Sequence, residues 1–317
     1  MIRSLARSWL RYWAKSGKKF GYFYQAMEWI GPRLATAAPL PARLPNGCRV
    51  ECDLRDHVQR HIFFQGAYEP IESYLFTRLV REGSTVVDAG ANIGQYSMIA
   101  STAVGASGQV HSFEPVEINF RHLKQNVERN RLTNIHLNQI ALWNESTRVR
   151  LELPGGGDGI GTNNGQYSVN TSGNANDLGV TAQAVRLDDY AQEHNLGRID
   201  LIKMDVEGAE WAALQGMAGI IQRDRPTLLM EVNRLACGRF GYEPNVFWEF
   251  LCRRFGYTAW QIGMSAEQWK KLTDANEISQ LNVLFTPGDL PVEVATGWDF
   301  HTCLHWAGAG LWNRVDQ

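Results

Sequence analysis

Three clusters of polar residues at fixed spacing carry the chemistry this sequence offers. The first is Asp88, Gly90, Asn92 and Gly94, at alternating positions directly after the β-branched pair Val86-Val87. The second is Glu114, closing the run Gly108-Gln-Val-His-Ser-Phe-Glu-Pro115. The third is Asp205, Glu207 and Glu210, which follow the apolar stretch Ile199-Asp-Leu-Ile-Lys-Met204. Carboxylates at strand ends suit cationic ligands, hydroxyl groups and proton transfer. Glu231 and Asn233, after Pro226-Thr-Leu-Leu-Met, add a fourth strand tip with two oxygen-bearing side chains.

The glycines at 90 and 94 let backbone approach a ligand closely, and the helical pattern through Tyr96, Met98 and Ile99 supplies unpaired N–H groups. A dinucleotide loop would read G-x-G-x-x-G, whereas Asp88 puts a negative charge where a pyrophosphate would sit. Glu114 at the second tip suits bidentate acceptance from two ribose hydroxyls. Acid in the first loop and acid at the ribose fit S-adenosylmethionine, whose sulfonium and amino groups are cationic. The predicted cofactor contacts are Asp88, Gly90, Ala91, Asn92, Gly94, Glu114, Asp205 and the small Ala141, beside which an adenine ring would pack.

Asp88-Ala-Gly-Ala-Asn-Ile-Gly94, Phe113-Glu-Pro115, Val185-Arg-Leu-Asp-Asp189 and Ile202-Lys-Met-Asp-Val-Glu-Gly-Ala-Glu210 together resemble the ordered motifs of the FkbM family of S-adenosylmethionine-dependent methyltransferases. The resemblance runs from about Gly66 to about Asn233. It implies O-methylation of a hydroxyl on a saccharide or secondary metabolite, and it places Tyr68 and Glu69 near the pocket. The other reading of that pair is a helix cap and dipole partner.

Methyl transfer to a hydroxyl requires a base. Asp205 is the first candidate, with Glu207 and Glu210 near enough to raise its pKa by repulsion. Glu207 alternatively binds the methionine amino group, and Glu210 alternatively complements the next helix dipole. Glu231 and Asn233 are expected to contact substrate. A competing mechanism uses Asp205, Glu231 and Asn233 to hold a divalent metal, although no metal is required by the pattern. His57 and His61, four apart, share a helix face but have no third metal ligand in sequence reach.

Alternation of strands and helices from residue 83 predicts a Rossmann-like class I methyltransferase fold: α/β, with a mostly parallel seven-stranded sheet and helices on both faces. Strands are expected at 84–89, 109–114, 135–141, 199–204, 226–233, 257–260 and 281–285, with Asp188-Asp189 capping a short helix. The catalytic domain spans 83–287, with residues 154–180 as a Gly/Asn-rich lid. Residues 1–82 supply an amphipathic helix, a proline-rich linker, a hairpin around Asn46-Gly47 and a helix. Residues 288–317 form an aromatic tail packing on the sheet edge.

The chain carries 31 Lys and Arg against 33 Asp and Glu, for a net charge of −2, which with no Asn-Pro-Pro-Tyr-type tetrapeptide argues against nucleic acid as substrate. Two other classes stay open: a methyltransferase with a different acceptor, and a non-catalytic cofactor-binding scaffold. Five scattered cysteines without metal or redox spacing fit free thiols in a reducing cytoplasm. Arg3, Arg7, Arg11 and Lys15 stand four apart beside Leu5, Trp9 and Trp13. Such a helix packs on its own domain, packs on a second subunit in a homo-oligomer, or lies on an anionic membrane surface through residues 1–30.

Overall fold

Val86 and Val87 point to opposite faces of β3 (Thr85–Ala89), and each enters a different apolar cluster, which is how this segment comes to lie in the middle of a two-sided sheet. The computed structural model describes residues 2–15, 22–152, 168–169, 180–278 and 282–312. The expected lid falls largely outside the described residues.

Ahead of the sheet come α1 (Ile2–Lys15), α2 (Tyr22–Ile30), the antiparallel hairpin β1 (Leu40–Arg43) and β2 (Arg49–Cys52), then α3 (His57–Gln65) and α4 (Pro70–Leu79). One helix was expected between Arg55 and Arg81; two form, because Gly66 adopts φ 94° and ends the first. Leu10, Phe23, Leu44 and Phe64 pack with Ile93 and Met98, so this extension shares a core with the cofactor-loop helix.

After β3 the chain runs through α5 (Gln95–Val104), β4 (Gln109–Phe113), α6 (Glu117–Arg129) and β5 (Ile135–Asn138). Next come β6 (Ala141–Leu142), β7 (Thr147–Glu152), β8 (Ser168–Val169) and β9 (Val180–Val185). These four make a separate sheet in the order β6-β9-β7-β8, with β7 antiparallel to β9. The expected strand 135–141 therefore stops at Asn138, and Ala141 belongs to the second sheet, pairing with Ala184.

The main sheet is completed from α7 (Leu187–Glu193), β10 (Leu201–Met204), α8 (Glu210–Gln215), α9 (Ala218–Asp224) and β11 (Thr227–Glu231). α10 (Arg234–Arg239), α11 (Asn245–Phe247) with a π-helical continuation Trp248–Arg254, β12 (Thr258–Gln261), β13 (Lys270–Lys271) and β14 (Asn282–Thr286) follow. Strand order is β13-β12-β14-β11-β10-β3-β4-β5, with β5, β4, β3, β10 and β11 parallel and β14 antiparallel to β11. This is the expected Rossmann-like arrangement, with a two-residue eighth strand added at one edge. Consecutive strands build outward from β3 in one direction, then the chain crosses back to β10. That reversal opens a crevice at the carboxyl ends of β3 and β10.

Asp188 does not cap its own helix. Its carboxylate accepts the N–H groups of Gly219 and Ile220 at 3.0 and 2.9 Å, capping α9 from a distance. The aromatic tail, expected to pack on the sheet edge, forms α12 (Val292–Ala295) and α13 (Phe300–Trp312), and Trp306 meets Tyr74 of α4 edge-on at 5.7 Å. No helix among the described residues is long and apolar enough to cross a membrane.

Candidate active site

The turn after β3 is pressed against the tip of β10. Gly90 has φ 81°, and a Cβ there would lie 1.8 Å from the Asp205 carbonyl oxygen, so only glycine lets the two loops meet. Gly94 serves a different purpose from the one expected. Its missing Cβ makes room for Leu123, 2.5 Å from where that atom would be, so it seats α5 on α6 rather than facing a ligand. The N–H groups of Gly90 and Ala91 both donate to the Phe113 carbonyl at 2.9 Å, tying the turn to β4.

Glu114 lies at the centre of this junction. One carboxylate oxygen accepts the Asn92 N–H at 2.9 Å and the other accepts the Val116 N–H at 2.8 Å. Burial pushes its pKa up to about 7 against these hydrogen bonds. Asn119 is a third hydrogen-bonding partner, and the carboxylate, with about four acceptor positions, keeps capacity beyond these bonds while lining the cleft.

That cleft, with a cavity of about 100 Å³, runs from an apolar end to an acidic one. Phe113, Val116, Ile140, Ala141, Leu142 and Leu151 supply the apolar wall, while Tyr68, Asp205 and Glu207 supply the polar end. Asp205, Glu207 and Glu231 each bring an oxygen within 4.8 Å of the others. Desolvation and mutual repulsion push Glu207 up to about 8 and raise Glu231 as well. Glu207 also holds a left-handed backbone, φ 54°, a conformation uncommon for a residue with a Cβ.

Of the residues expected to touch ligand, Tyr68, Gly90, Ala91, Asn92, Glu114, Ala141, Asp205 and Glu207 line the cleft. Others lie behind it. Asp88 points to the α5 side of β3, where its buried carboxylate accepts from Ser97 Oγ at 2.5 Å; strand alternation sends it under the loop rather than into the cleft. Glu210 is buried and accepts the N–H groups of Val206 and Gly208 at 3.0 and 3.2 Å, so it shapes the Asp205 loop. Asn233 caps α10 through Leu235 and Ala236, which removes its oxygen from the expected metal triad with Asp205 and Glu231. Glu69 accepts from Tyr96 Oη at 3.0 Å and Asn282 Nδ2 at 3.1 Å, supporting the wall rather than facing the space.

Tyr96, Trp143 and Lys203 were not anticipated. Tyr96 and Trp143 line the cleft. Lys203 is 1% exposed, its ammonium 3.6 Å from Asp205 and 5.1 Å from the Tyr96 ring centre, with no hydrogen-bond acceptor among the described residues. A lone lysine inside an apolar strand was the signal available in the sequence. His57 and His61 do share a face of α3, and the third group comes from α2. Glu28 meets His61 Nε2 at 2.9 Å and His57 Nδ1 at 3.3 Å while also bonding Arg60. The guanidinium makes this an ion-paired cluster, and both rings pack edge-on against Tyr68.

The methyltransferase FkbM domain family matches residues 88–259, which includes the turn, Glu114 and the Asp205 loop. This chain belongs to the FkbM methyltransferase family. Relatives of this FkbM chain include Methyltransferase 1 of Beauveria bassiana, 29% identical over 43% of this chain and 59% of that protein. Hexuronic acid methyltransferase AglP of Haloferax volcanii is 29% identical over 44% and 53%. The 31-O-demethyl-FK506 methyltransferase FkbM of Streptomyces tacrolimicus is 27% identical over 55% of this chain and 74% of that protein. The matches to the first two thus span little more than half of those relatives' lengths.

The residues of this FkbM site fit S-adenosylmethionine. Apolar surface for a base, a carboxylate for ribose hydroxyls and an acidic end for cationic groups follow one another along a single cleft. Like charges crowded at that acidic end are relieved by a cationic ligand.

Proposed function

We propose that this chain is an S-adenosylmethionine-dependent O-methyltransferase whose acceptor is a hydroxyl of a saccharide or secondary metabolite. The observation that carries the reading is the acidic end of the cleft, where Asp205 and Glu207 share space with Glu231. The printed activities of two relatives, toward a hexuronic acid and a demethylated FK506, support the acceptor class.

S-adenosylmethionine, when bound, supplies an electrophilic methyl group. Glu114 holds the ribose hydroxyls, and the wall of Phe113, Ile140 and Ala141 covers the base and excludes water. Asp205, paired with Lys203 across 3.6 Å, faces the cationic methionine end. Glu207, raised to about 8, is matched to accept the acceptor's hydroxyl proton near neutral pH and release it to solvent. This exchanges the roles expected for Asp205 and Glu207, because the crowding that makes a stronger base falls on Glu207 while Lys203 sits beside Asp205. Tyr68, braced by His57 and His61, closes the acceptor side.

Calorimetric titration with S-adenosylmethionine and S-adenosylhomocysteine, with NAD as control, tests the cofactor. Turnover with a panel of glycans and polyketide alcohols tests the acceptor. Micromolar binding followed by methyl incorporation into a hydroxyl supports the reading. Binding without turnover on any hydroxyl favours the scaffold alternative, and no binding by folded protein rejects the cofactor.

A further inference from the structure

We propose that the exposed face of α1 and α2 docks this protein on an anionic lipid surface. Residues 2, 5, 9 and 12 recur at intervals of three and four, so Ile2, Leu5, Trp9 and Tyr12 form one stripe along α1. They are 82%, 63%, 55% and 72% exposed. The helix spends a different stripe on its own protein: Leu10 and Ala14 are buried, and Trp13 packs on Phe23 at 5.5 Å. α1 therefore has two apolar stripes and needs only one to fold onto the domain.

Tyr22 and Trp29 of α2 are also exposed, at 78% and 68%. Among the described residues, every aromatic side chain in the set of exposed large hydrophobics, namely Trp9, Tyr12, Tyr22 and Trp29, belongs to these two helices. Tryptophan and tyrosine are the side chains that favour the boundary between headgroups and acyl chains.

Charge selects the occupant. Residues 1–33 hold seven Lys or Arg and one acid, against 24 and 32 in the remainder, so a basic segment is attached to an acidic body. The one acid, Glu28, is consumed by His57, Arg60 and His61. Arg3 and Arg33 remain exposed, and Arg33 lies over the Trp29 ring at 4.8 Å, putting a cation on an interfacial aromatic. The expected basic stripe is not itself the contact: Arg7 donates to the Leu34 carbonyl and Arg11 stacks on Phe63. An apolar aromatic stripe flanked by exposed cations matches a bilayer carrying anionic headgroups. A second copy of this protein would bring its own basic segment against this one and be repelled.

The experiment is co-sedimentation of the full chain with phosphatidylcholine vesicles, with and without phosphatidylglycerol. Wild type is expected on the anionic vesicles, less so as salt rises. Leu5→Ser with Trp9→Ser and Tyr12→Ser is expected to weaken binding by about tenfold or more, with cofactor affinity unchanged and only a small loss in thermal unfolding from the Trp9–Trp13 contact, since these side chains are mostly exposed. Arg3→Glu with Arg33→Glu is expected to remove the salt-sensitive part. Absence of vesicle binding, or binding that ignores both variants, overturns the proposal. So does light scattering that shows a wild-type dimer dissolved by the serine variant, which would assign the face to a second copy.

Discussion

Lys203 on β10 and Asp88 on β3 are register partners in the parallel pair at the centre of the sheet, and both are buried. The row continues to Ser112, the register partner of Asp88 on β4, which shares Ser97 Oγ with it. A buried cation thus sits under a set of carboxylates that includes Asp205, 3.6 Å from it, and its pKa is held above the usual lysine value by those acids despite burial.

Replacing that cation leaves the acids uncompensated. Lys203→Met is expected to lower unfolding stability by about 3–5 kcal/mol in urea denaturation, the range for breaking a buried ion pair from one side. A loss below ~1 kcal/mol would show that the ammonium is not compensating the cluster.

The raised carboxyls set a pH dependence. Asp88 stands at about 6, Glu72, Glu114 and Glu210 at about 7, and Glu207 at about 8, all above their ordinary values because of burial and neighbouring acids. A carboxyl whose folded pKa is raised contributes stability that is complete below its unfolded value and lost as pH rises through the folded one. The melting temperature of the free protein is therefore expected to fall by several degrees from about pH 5 to pH 8 and to level off above that. The increment given by S-adenosylmethionine should grow over the same window, and more than that given by S-adenosylhomocysteine, which lacks the sulfonium charge. A flat profile contradicts this account.

Glu114→Gln retains shape but loses charge, and its single amide oxygen cannot serve both Asn92 and Val116. Cofactor affinity is expected to drop about 10–100-fold, the scale of a hydrogen bond to a charged group. Calorimetry reads this directly, and unchanged affinity would place the ribose elsewhere.

Glu207→Gln and Asp205→Asn separate the two roles. The first is expected to lower kcat by about 10²–10⁴-fold while cofactor affinity stays within a few-fold. The second should weaken cofactor binding foremost. The reverse pattern would return the proton-accepting role to Asp205.

Local signals carried the frame. Residues 85–89, 109–113, 201–204 and 227–231 are apolar runs punctuated by turns, and they became the parallel strands expected of them. Glu114, Asp205 and Glu207 sit in the cleft because strand tips of a parallel sheet converge at the crossover point, a consequence of order and periodicity that needs no coordinates. Side-chain direction was harder. Asp88 reads as a cofactor contact and Glu210 as either a catalytic acid or a helix-dipole partner, yet one is turned under the loop and the other back onto its own turn. Strand alternation and a tight loop decide between cleft and core by a single residue's rotation.

What the sequence determined alone is the central parallel strands, their order and the acids at their tips, since these follow from hydrophobic period and turn chemistry between near neighbours. Tertiary structure decided the pairings between distant residues: Lys203 beside Asp88, Glu28 between His57 and His61, Asp188 at the start of α9. It also decided which stripe of α1 is covered and which faces water. Those outcomes depend on which surfaces meet when the chain packs, and no spacing along the chain encodes that distance.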